Sequence, residues 1–181
     1  MLTDLQTRKL VKFFSMYDAD YKGHINCSDF ENIAKKLAKR RNWSLRSPRY
    51  ITLSNQFTYD WKCLKRDADK GHDKQVSLEE WLTYYDGVLG DPDAYQKSAQ
   101  QLMDLVFDAF DDDDDGKICA EEWGEFLSVF NVSPVYAPLV FPGLDADNSG
   151  FLCKDEVKAA FHEFFYSDDV NSPANQMFGP F

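Results

Sequence analysis

The chain has 181 residues and a net charge of −11, an acidity that argues against a general nucleic-acid binder. Its apolar content is 44% and includes 15 Phe, 9 Tyr and 4 Trp, which suffices for one compact core or two small lobes and argues against disorder. The chain contains no run of 18 apolar residues, so the sequence predicts no transmembrane segment. The four cysteines are scattered singly, so we expect a reduced, cytoplasmic protein.

Four segments of the chain place acidic residues at the alternating positions of a calcium-binding loop. Calcium takes about six to eight oxygen ligands, and a 12-residue loop supplies them from side chains at positions 1, 3 and 5, a backbone carbonyl at position 7 and a bidentate Glu at position 12. Position 6 favours Gly because the chain turns there with a positive φ. Position 8 is apolar and pairs with a sister loop. In chain order we name residues 18–29 the first loop, 69–80 the second, 111–122 the third and 145–156 the fourth.

The first loop matches this pattern only in part. Its position 5 is Lys22, a cation where an anion is expected, and its position 12 is Asp29, which is one methylene shorter than Glu. The smaller octahedral shell that magnesium prefers is easier to build there, so calcium binding in this loop is left open. The matching residues are Asp18, Asp20, Gly23 and Ile25.

The second loop is ambiguous, and its register depends on Val76 being the apolar residue of position 8. Position 3 is then Gly71, which has no side-chain oxygen, and position 6 is Lys74 instead of Gly. A water molecule would have to complete the ligand shell, so this site is also left open. The predicted ligands are Asp69, Asp73, the carbonyl of Gln75 and Glu80.

The third loop fills every required position, although five consecutive aspartates are also typical of a solvated acidic run. Gly116 takes position 6 and Ile118 takes position 8. Because crowded carboxylates repel each other without a cation, we expect this loop to be ordered by metal. The predicted ligands are Asp111, Asp113, Asp115, the carbonyl of Lys117 and Glu122.

The fourth loop repeats the pattern with one weaker ligand, the hydroxyl of Ser149 at position 5. Gly150 takes position 6 and Leu152 takes position 8. With the third loop it predicts two strong calcium sites, and the first and second loops raise the number to three or four if they bind. Magnesium is expected to compete. The predicted ligands are Asp145, Asp147, Ser149, the carbonyl of Phe151 and Glu156.

Apolar and aromatic residues at helical spacing flank each loop and predict an all-α fold. The pattern predicts four helix–loop–helix units in two lobes that pack into one compact body. Gly and Asp-Pro near residues 87–94 predict a division into halves of residues 1–90 and 91–181. Pro138 and Pro142 predict a short or kinked helix before the fourth loop.

Helix starts carry recognisable capping residues in two places. Thr3 with Gln6, and Ser77 with Glu80, have the spacing of a capping box. In the third and fourth loops the corresponding position 9 is Cys, which caps poorly. We therefore expect those two helices to depend on the closing Glu of each loop.

Together these residues resemble the EF-hand superfamily, and more narrowly the sarcoplasmic calcium-binding protein group that includes calexcitin and calerythrin. The narrower resemblance rests on the uneven loop spacing, on Asp29 at position 12, on Trp81 and Trp123 after two closing acids, and on the tail FFYSDDVNSPANQMFGPF at residues 164–181. It covers essentially the whole chain. It implies paired hands whose apolar faces turn inward, a C-terminal tail packed over that core, and no enzymatic activity.

Two binding functions follow, and they differ in what calcium does to the core. In the first, the protein is a cytoplasmic Ca²⁺/Mg²⁺ buffer, expected to be a monomer, whose core stays closed; only four Met support this, because repackable sensor grooves tend to be Met-rich. In the second, calcium opens a groove for a protein target. The basic segment of residues 35–50 would then contact an acidic partner or an anionic membrane.

Two further alternatives have weaker support. Coelenterazine-binding proteins and photoproteins are similar in shape, but His24 and His72 fall inside loops and only His162 lies on a predicted helix. A redox role for Cys119 and Cys153 is suggested by their equivalent places at two helix N-termini, where thiol pKa values tend to fall. Neighbouring carboxylates oppose that effect.

Overall fold

The computed structural model describes residues 1–111 and 115–181, so the predicted ligand Asp113 lies outside the described residues. Helices dominate the described chain, which confirms the all-α prediction. The α-helices are α1 (Asp4–Tyr17), α2 (Cys27–Arg40), α3 (Pro48–Ala68), α4 (Leu78–Leu89), α5 (Pro92–Tyr95), α6 (Gln101–Phe110), α7 (Ala120–Val129), α8 (Ala137–Leu144) and α9 (Lys154–Tyr166). A π-helical turn covers Gln96–Gln100, and 3₁₀ turns cover Pro134–Tyr136 and Pro173–Gln176.

Four helix pairs flank the four predicted loops: α1 with α2, α3 with α4, α6 with α7, and α8 with α9. Helix α8 has eight residues and contains Pro142, as the proline positions predict. The capping box of α1 is present, since the N–H of Thr3 donates to Gln6 Oε1 at 3.0 Å and the N–H of Gln6 donates to Thr3 Oγ1 at 3.2 Å. Ser77 and Glu80 form the second predicted capping box, at the start of α4.

Short antiparallel strands join the loops in pairs through the apolar residue at position 8. Strands β1 (His24–Ile25) and β2 (Val76–Ser77) align Ile25 with Val76, and strands β3 (Lys117–Ile118) and β4 (Leu152–Cys153) align Ile118 with Leu152. These four apolar residues are at most 1% exposed, which confirms their predicted pairing role.

The chain divides into two compact units. One contains Phe14–Leu102, with the first and second loops; the other contains Met1–Phe13 together with Met103–Phe181, with the third and fourth loops. The predicted halves, residues 1–90 and 91–181, assign the same loops together and stay a prediction about the lobes.

Aromatic rings fill the interior of the unit with the first and second loops. Tyr17 stacks on Phe30 with ring centroids 4.6 Å apart, and Trp81 contacts Tyr85 at the same centroid distance. Trp81 is 1% exposed. Rings from the two hands also meet, since Tyr17 contacts Trp81 at a centroid distance of 5.9 Å and Phe30 contacts Trp61 at 5.6 Å. Burying each such side chain stabilises the fold by roughly 1.5–3 kcal/mol.

The interior of the other unit includes the C-terminal tail. Met177 and Phe178 are fully buried, and the Phe178 ring contacts Phe126 of α7 and Phe164 of α9 at centroid distances of 6.0 and 4.9 Å. It also stacks on Phe13 of α1 at 6.0 Å. The tail thus packs over the apolar core of this unit, as the resemblance implies.

A buried lysine fixes the path of the tail. Lys9 of α1 is 1% exposed, and its ammonium donates to the carbonyl of Ser167 at 2.6 Å and to Asn175 Oδ1 at 3.3 Å. Burial lowers the pKa of Lys9, against the opposing effect of Asp168 and Glu163. Within residues 1–111 and 115–181, no helix is both long and apolar enough to cross a membrane.

Candidate metal centres

The first residue of every loop is a buried aspartate that organises the loop backbone. These side chains are 5% to 8% exposed. In each loop one carboxylate oxygen accepts from the N–H of position 5 and the other accepts from the N–H of position 6, at 2.8 to 3.2 Å. Two such bonds offset the cost of burying a carboxylate and curve the loop around it. The four residues are Asp18, Asp69, Asp111 and Asp145.

Backbone angles support the register proposed for the second loop. Position 6 has a φ of +80° to +82° at the three glycines, and Lys74 takes the same position in the second loop with a φ of +66°. Position 4 is also left-handed, at His72 in the second loop with a φ of +55° and at Asn148 in the fourth with +57°. The second loop therefore follows the path of the others with Asp69 at position 1, although it lacks the glycine.

The closing residue of every loop lies in the first turn of the next helix and hydrogen-bonds the residue that precedes that helix. One of its oxygens accepts from the N–H of position 9, at 2.7 to 2.9 Å. The other oxygen accepts from the N–H of position 2 in two loops, from Lys70 to Glu80 at 3.1 Å and from Ala146 to Glu156 at 3.0 Å. The helix after each loop thus starts on the same carboxylate that the sequence predicts to close the metal site.

The fourth loop brings three predicted ligands close together. Oxygens of Asp145, Asp147 and Glu156 lie within 4.8 Å of one another. Ser149 Oγ lies 3.0 Å from the carbonyl oxygen of Phe151, so the predicted ligands of positions 5 and 7 are also adjacent. Hard carboxylate, hydroxyl and carbonyl oxygens are the donors that calcium and magnesium take, and this arrangement fits such an ion.

Hydrogen bonds adjust the acidity of these ligands. The Ser149 hydroxyl lowers the pKa of Asp147. Burial by itself would raise the pKa of Glu156, but bonds from Cys153 and Ala146 outweigh it and the pKa is lowered. The lowered pKa values favour the ionised form of Asp147 and Glu156, which is the form that binds a cation.

The third loop is described at positions 1 and 5 to 12. The N–H of Lys117 donates to Asp115 Oδ1 at 2.8 Å, and Glu122 is tied to the N–H of Cys119 at 2.7 Å. The ammonium of Lys117 lies 5.5 Å from the ring centroid of Phe151, a contact between the third and fourth loops. Asp111 and Glu122 accept the same backbone hydrogen bonds as their counterparts in the other loops, and the role of Asp111, Asp115 and Glu122 as ligands stays a prediction.

The second loop has fewer oxygen donors in place. Asp73 Oδ1 accepts from the N–H of Gln75 at 2.9 Å, the bond that in the third loop runs to Asp115. Gly71 contributes no side-chain oxygen, so the predicted protein ligands of this loop are limited to Asp69, Asp73, Glu80 and the carbonyl of Gln75. Hydrogen bonds from the N–H and hydroxyl of Ser77 lower the pKa of Glu80.

The first loop holds a side-chain cation between two of its predicted ligand positions. Lys22 Nζ donates to Asp20 Oδ1 at 3.0 Å and to Asp29 Oδ1 at 2.8 Å, which are positions 3 and 12 of the loop. The sequence pattern identifies Lys22 only as a poor ligand and does not predict this bridge. The sequence places a lysine at position 5 between acids at positions 3 and 12, which is compatible with such a bridge but does not give the direction of the Lys22 side chain.

The alternatives to a metal site find little support in the geometry. His162 is exposed and stacks on Tyr166 with ring centroids 4.5 Å apart, so it does not face an aromatic cavity. Burial raises the pKa of the Cys119 thiol, which opposes the thiolate that a redox role needs.

Comparison with known proteins finds similarity to calcium-binding proteins with EF hands. A family model described as EF hand matches residues 102–127, which contain the third loop. A sarcoplasmic calcium-binding protein of Perinereis vancaurica tetradentata is 28% identical over 98% of this chain and 99% of its own length. Calerythrin of Saccharopolyspora erythraea is 23% identical over 92% of this chain and 95% of its own length.

Solved structures show the same fold. The sarcoplasmic calcium-binding protein of amphioxus matches with a TM-score of 0.77 and 21% identity, covering 100% of both chains. A Streptomyces coelicolor calcium-binding protein matches with a TM-score of 0.75 and 27% identity over 88% of this chain and 97% of its own. The coelenterazine-binding protein of Renilla muelleri matches with a TM-score of 0.69 and 22% identity, over 99% and 100%. The predicted resemblance to EF-hand proteins of the sarcoplasmic calcium-binding group is confirmed, and the relatives named are binding proteins, in agreement with the prediction of no enzyme.

Proposed function

We propose that this EF-hand protein, whose relatives are sarcoplasmic calcium-binding proteins, binds Ca²⁺ reversibly as a cytoplasmic buffer in competition with Mg²⁺. The third and fourth loops are its main sites, and the second loop is a weaker one. The ligands are those predicted, with Asp113 completing the third loop. Calcium binding supplies no chemistry beyond electrostatic neutralisation of these carboxylates, so the function is storage and release of the ion.

One observation carries the choice of a buffer over a sensor: the apolar face of the third and fourth hands is already covered by the protein's own tail. A sensor that opens on calcium presents such a face to a target helix. Here Met177 and Phe178 fill it, and Lys9 holds the tail through the carbonyl of Ser167. A target would have to displace these fully buried side chains.

The test measures apolar exposure with an environment-sensitive dye while calcium is added to the magnesium-loaded protein. We expect no rise in dye fluorescence for the wild type and a clear rise for Phe178→Ala, which uncovers the face. A strong rise for the wild type on calcium addition would contradict the buffer. The matched control is Val170→Ala, in the same tail at a position 73% exposed, which should behave as the wild type.

The site assignment has its own test by calcium titration. Glu122→Gln and Glu156→Gln should each remove one strong site, because the neutral amide cannot replace the bidentate carboxylate. The adjacent acids Glu121 and Asp155 are exposed and occupy position 11, so Glu121→Gln and Asp155→Asn are matched controls. Unchanged stoichiometry in the Glu122 and Glu156 variants would refute the register of these loops.

A calcium sensor is the second candidate function, and two observations favour it. The similar Streptomyces coelicolor protein is described as acting in calcium-mediated regulation. In this chain the basic segment of residues 35–50 contains no acid and exposes Leu45 to 57%. Calcium-dependent retention on vesicles containing phosphatidylserine, but not on phosphatidylcholine alone, would favour this function.

A further inference from the structure

The first loop differs from the second and fourth in what its acidic side chains contact. In the second and fourth loops the outer oxygen of the closing carboxylate accepts from the backbone N–H of position 2. In the first loop the corresponding oxygen, Asp29 Oδ1, accepts from Lys22 Nζ at 2.8 Å. The same ammonium contacts Asp20 Oδ1 at 3.0 Å.

The position of this ammonium is the one a metal ion would need. Positions 3 and 12 are both metal ligands in a calcium loop, and a calcium ion would lie about 2.3–2.6 Å from each. Lys22 Nζ bridges the two carboxylates at only slightly longer distances, so the ammonium and an ion cannot occupy the loop together. The Asp29 side chain is only 10% exposed, which strengthens its pair with Lys22 relative to a surface ion pair.

The rest of the loop is already formed around this pair. Asp18 holds the N–H groups of Lys22 and Gly23 at 3.0 and 2.8 Å, as the first aspartate does in every other loop. Asp29 caps helix α2 through the N–H of Asn26 at 2.8 Å. The first loop therefore has the same backbone arrangement as the other loops, together with an internal cation.

We propose that Lys22 is a covalently attached substitute for the divalent cation of the first loop, so that this hand is closed without metal and excludes both Ca²⁺ and Mg²⁺. The inference rests on the proposed function, because it treats the other loops as ion sites. A tethered ammonium is present at high local concentration at all times, and a free ion would have to displace it. Strand β1 then stays in place for β2, and the second loop can bind its ion without an ion in the first.

The decisive experiment isolates Lys22 in a background where the closing residue has full reach. Calcium and magnesium are titrated separately by calorimetry into the full chain carrying Asp29→Glu alone, and carrying Asp29→Glu with Lys22→Asn. We expect the single variant to bind as many ions as the wild type and the double variant to bind one more Ca²⁺ per chain. An extra ion in the single variant, or equal stoichiometry in the two, would overturn the proposal.

A second measurement does not depend on gaining a site. In the presence of a chelator, Lys22→Asn should lower the melting temperature more than Lys35→Asn does. Lys35 makes the same type of ion pair, with Glu31 at 3.3 Å, but outside the loop and with its side chain 50% exposed. Equal effects of the two substitutions would count against an internal cation. Failure of the proposed function would appear differently: the Glu122→Gln and Glu156→Gln variants would then bind calcium with the same stoichiometry as the wild type.

Discussion

The residue at position 6 decides how easily each loop turns. Gly23, Gly116 and Gly150 adopt the left-handed backbone there, and a Cβ added to each would meet no atom within 4 Å. Any cost of a larger residue at this position is therefore backbone strain and not a clash. Lys74 accepts that strain in the second loop with a φ of +66°.

Replacing Lys74 with Gly should stabilise the calcium-free protein by about 1 kcal/mol, because Gly adopts positive φ without a Cβ penalty. It should also tighten ion binding at the second loop, since the turn would no longer carry strain. The reverse change, Gly150→Ala, should destabilise by a similar amount. Urea unfolding in a chelator measures both, and a destabilised Lys74→Gly would show that the Lys74 side chain contributes more than its backbone costs.

At the scale of the secondary-structure elements, the helices that follow the second, third and fourth loops start with two different kinds of N-cap residue, serine and cysteine. Ser77 caps helix α4, because its hydroxyl accepts from the N–H of Glu80 at 3.3 Å and donates to the Glu80 carboxylate at 2.9 Å. The residues that precede α7 and α9 are Cys119 and Cys153, and the first turns of these helices depend on Glu122 and Glu156. A thiol is a weak acceptor, so these two helices obtain less from their cap.

Exchanging the two caps should change stability with opposite signs. Cys119→Ser should stabilise the calcium-free protein by about 0.5–1 kcal/mol, and Ser77→Cys should destabilise it by about the same amount. Chemical denaturation in a chelator is the measurement, because bound ions would otherwise fix Glu122 and mask the cap. Equal signs for the two substitutions would mean that cap chemistry does not set the stability of these helix starts.

The helices and loops could be predicted from the sequence, whereas two side-chain placements could not. The hands were predictable because position 8 and the first aspartate fix a register, and even the ambiguous second loop follows from Val76. The sequence did not indicate that the Lys22 side chain turns inward, since that depends on side-chain direction. It also could not place Phe178 against Phe13, because a contact between residues so distant in the chain leaves no local pattern.

At the scale of the whole chain, charge distinguishes the two hand pairs. The third loop alone carries seven acidic side chains and one lysine, whereas the first loop carries three acidic side chains and balances two of them with Lys22. Self-repulsion of carboxylates opposes folding until a cation neutralises them. The pair with the third and fourth loops should therefore depend on metal more than the pair with the first and second.

Removing calcium should accordingly lower the stability of the third and fourth hands more than that of the first and second. A site that binds only the folded state contributes about 2.7 kcal/mol when the free ion is present at about 100 times its dissociation constant. Hydrogen exchange followed by mass spectrometry separates the pairs: chelation should strongly reduce protection in α6 to α9 and only weakly in α1 to α3. If Lys22 keeps the first loop closed without metal, chelation should leave most of the protection in the first and second hands. Equal loss of protection in both pairs would therefore mean that the first and second hands also require an ion.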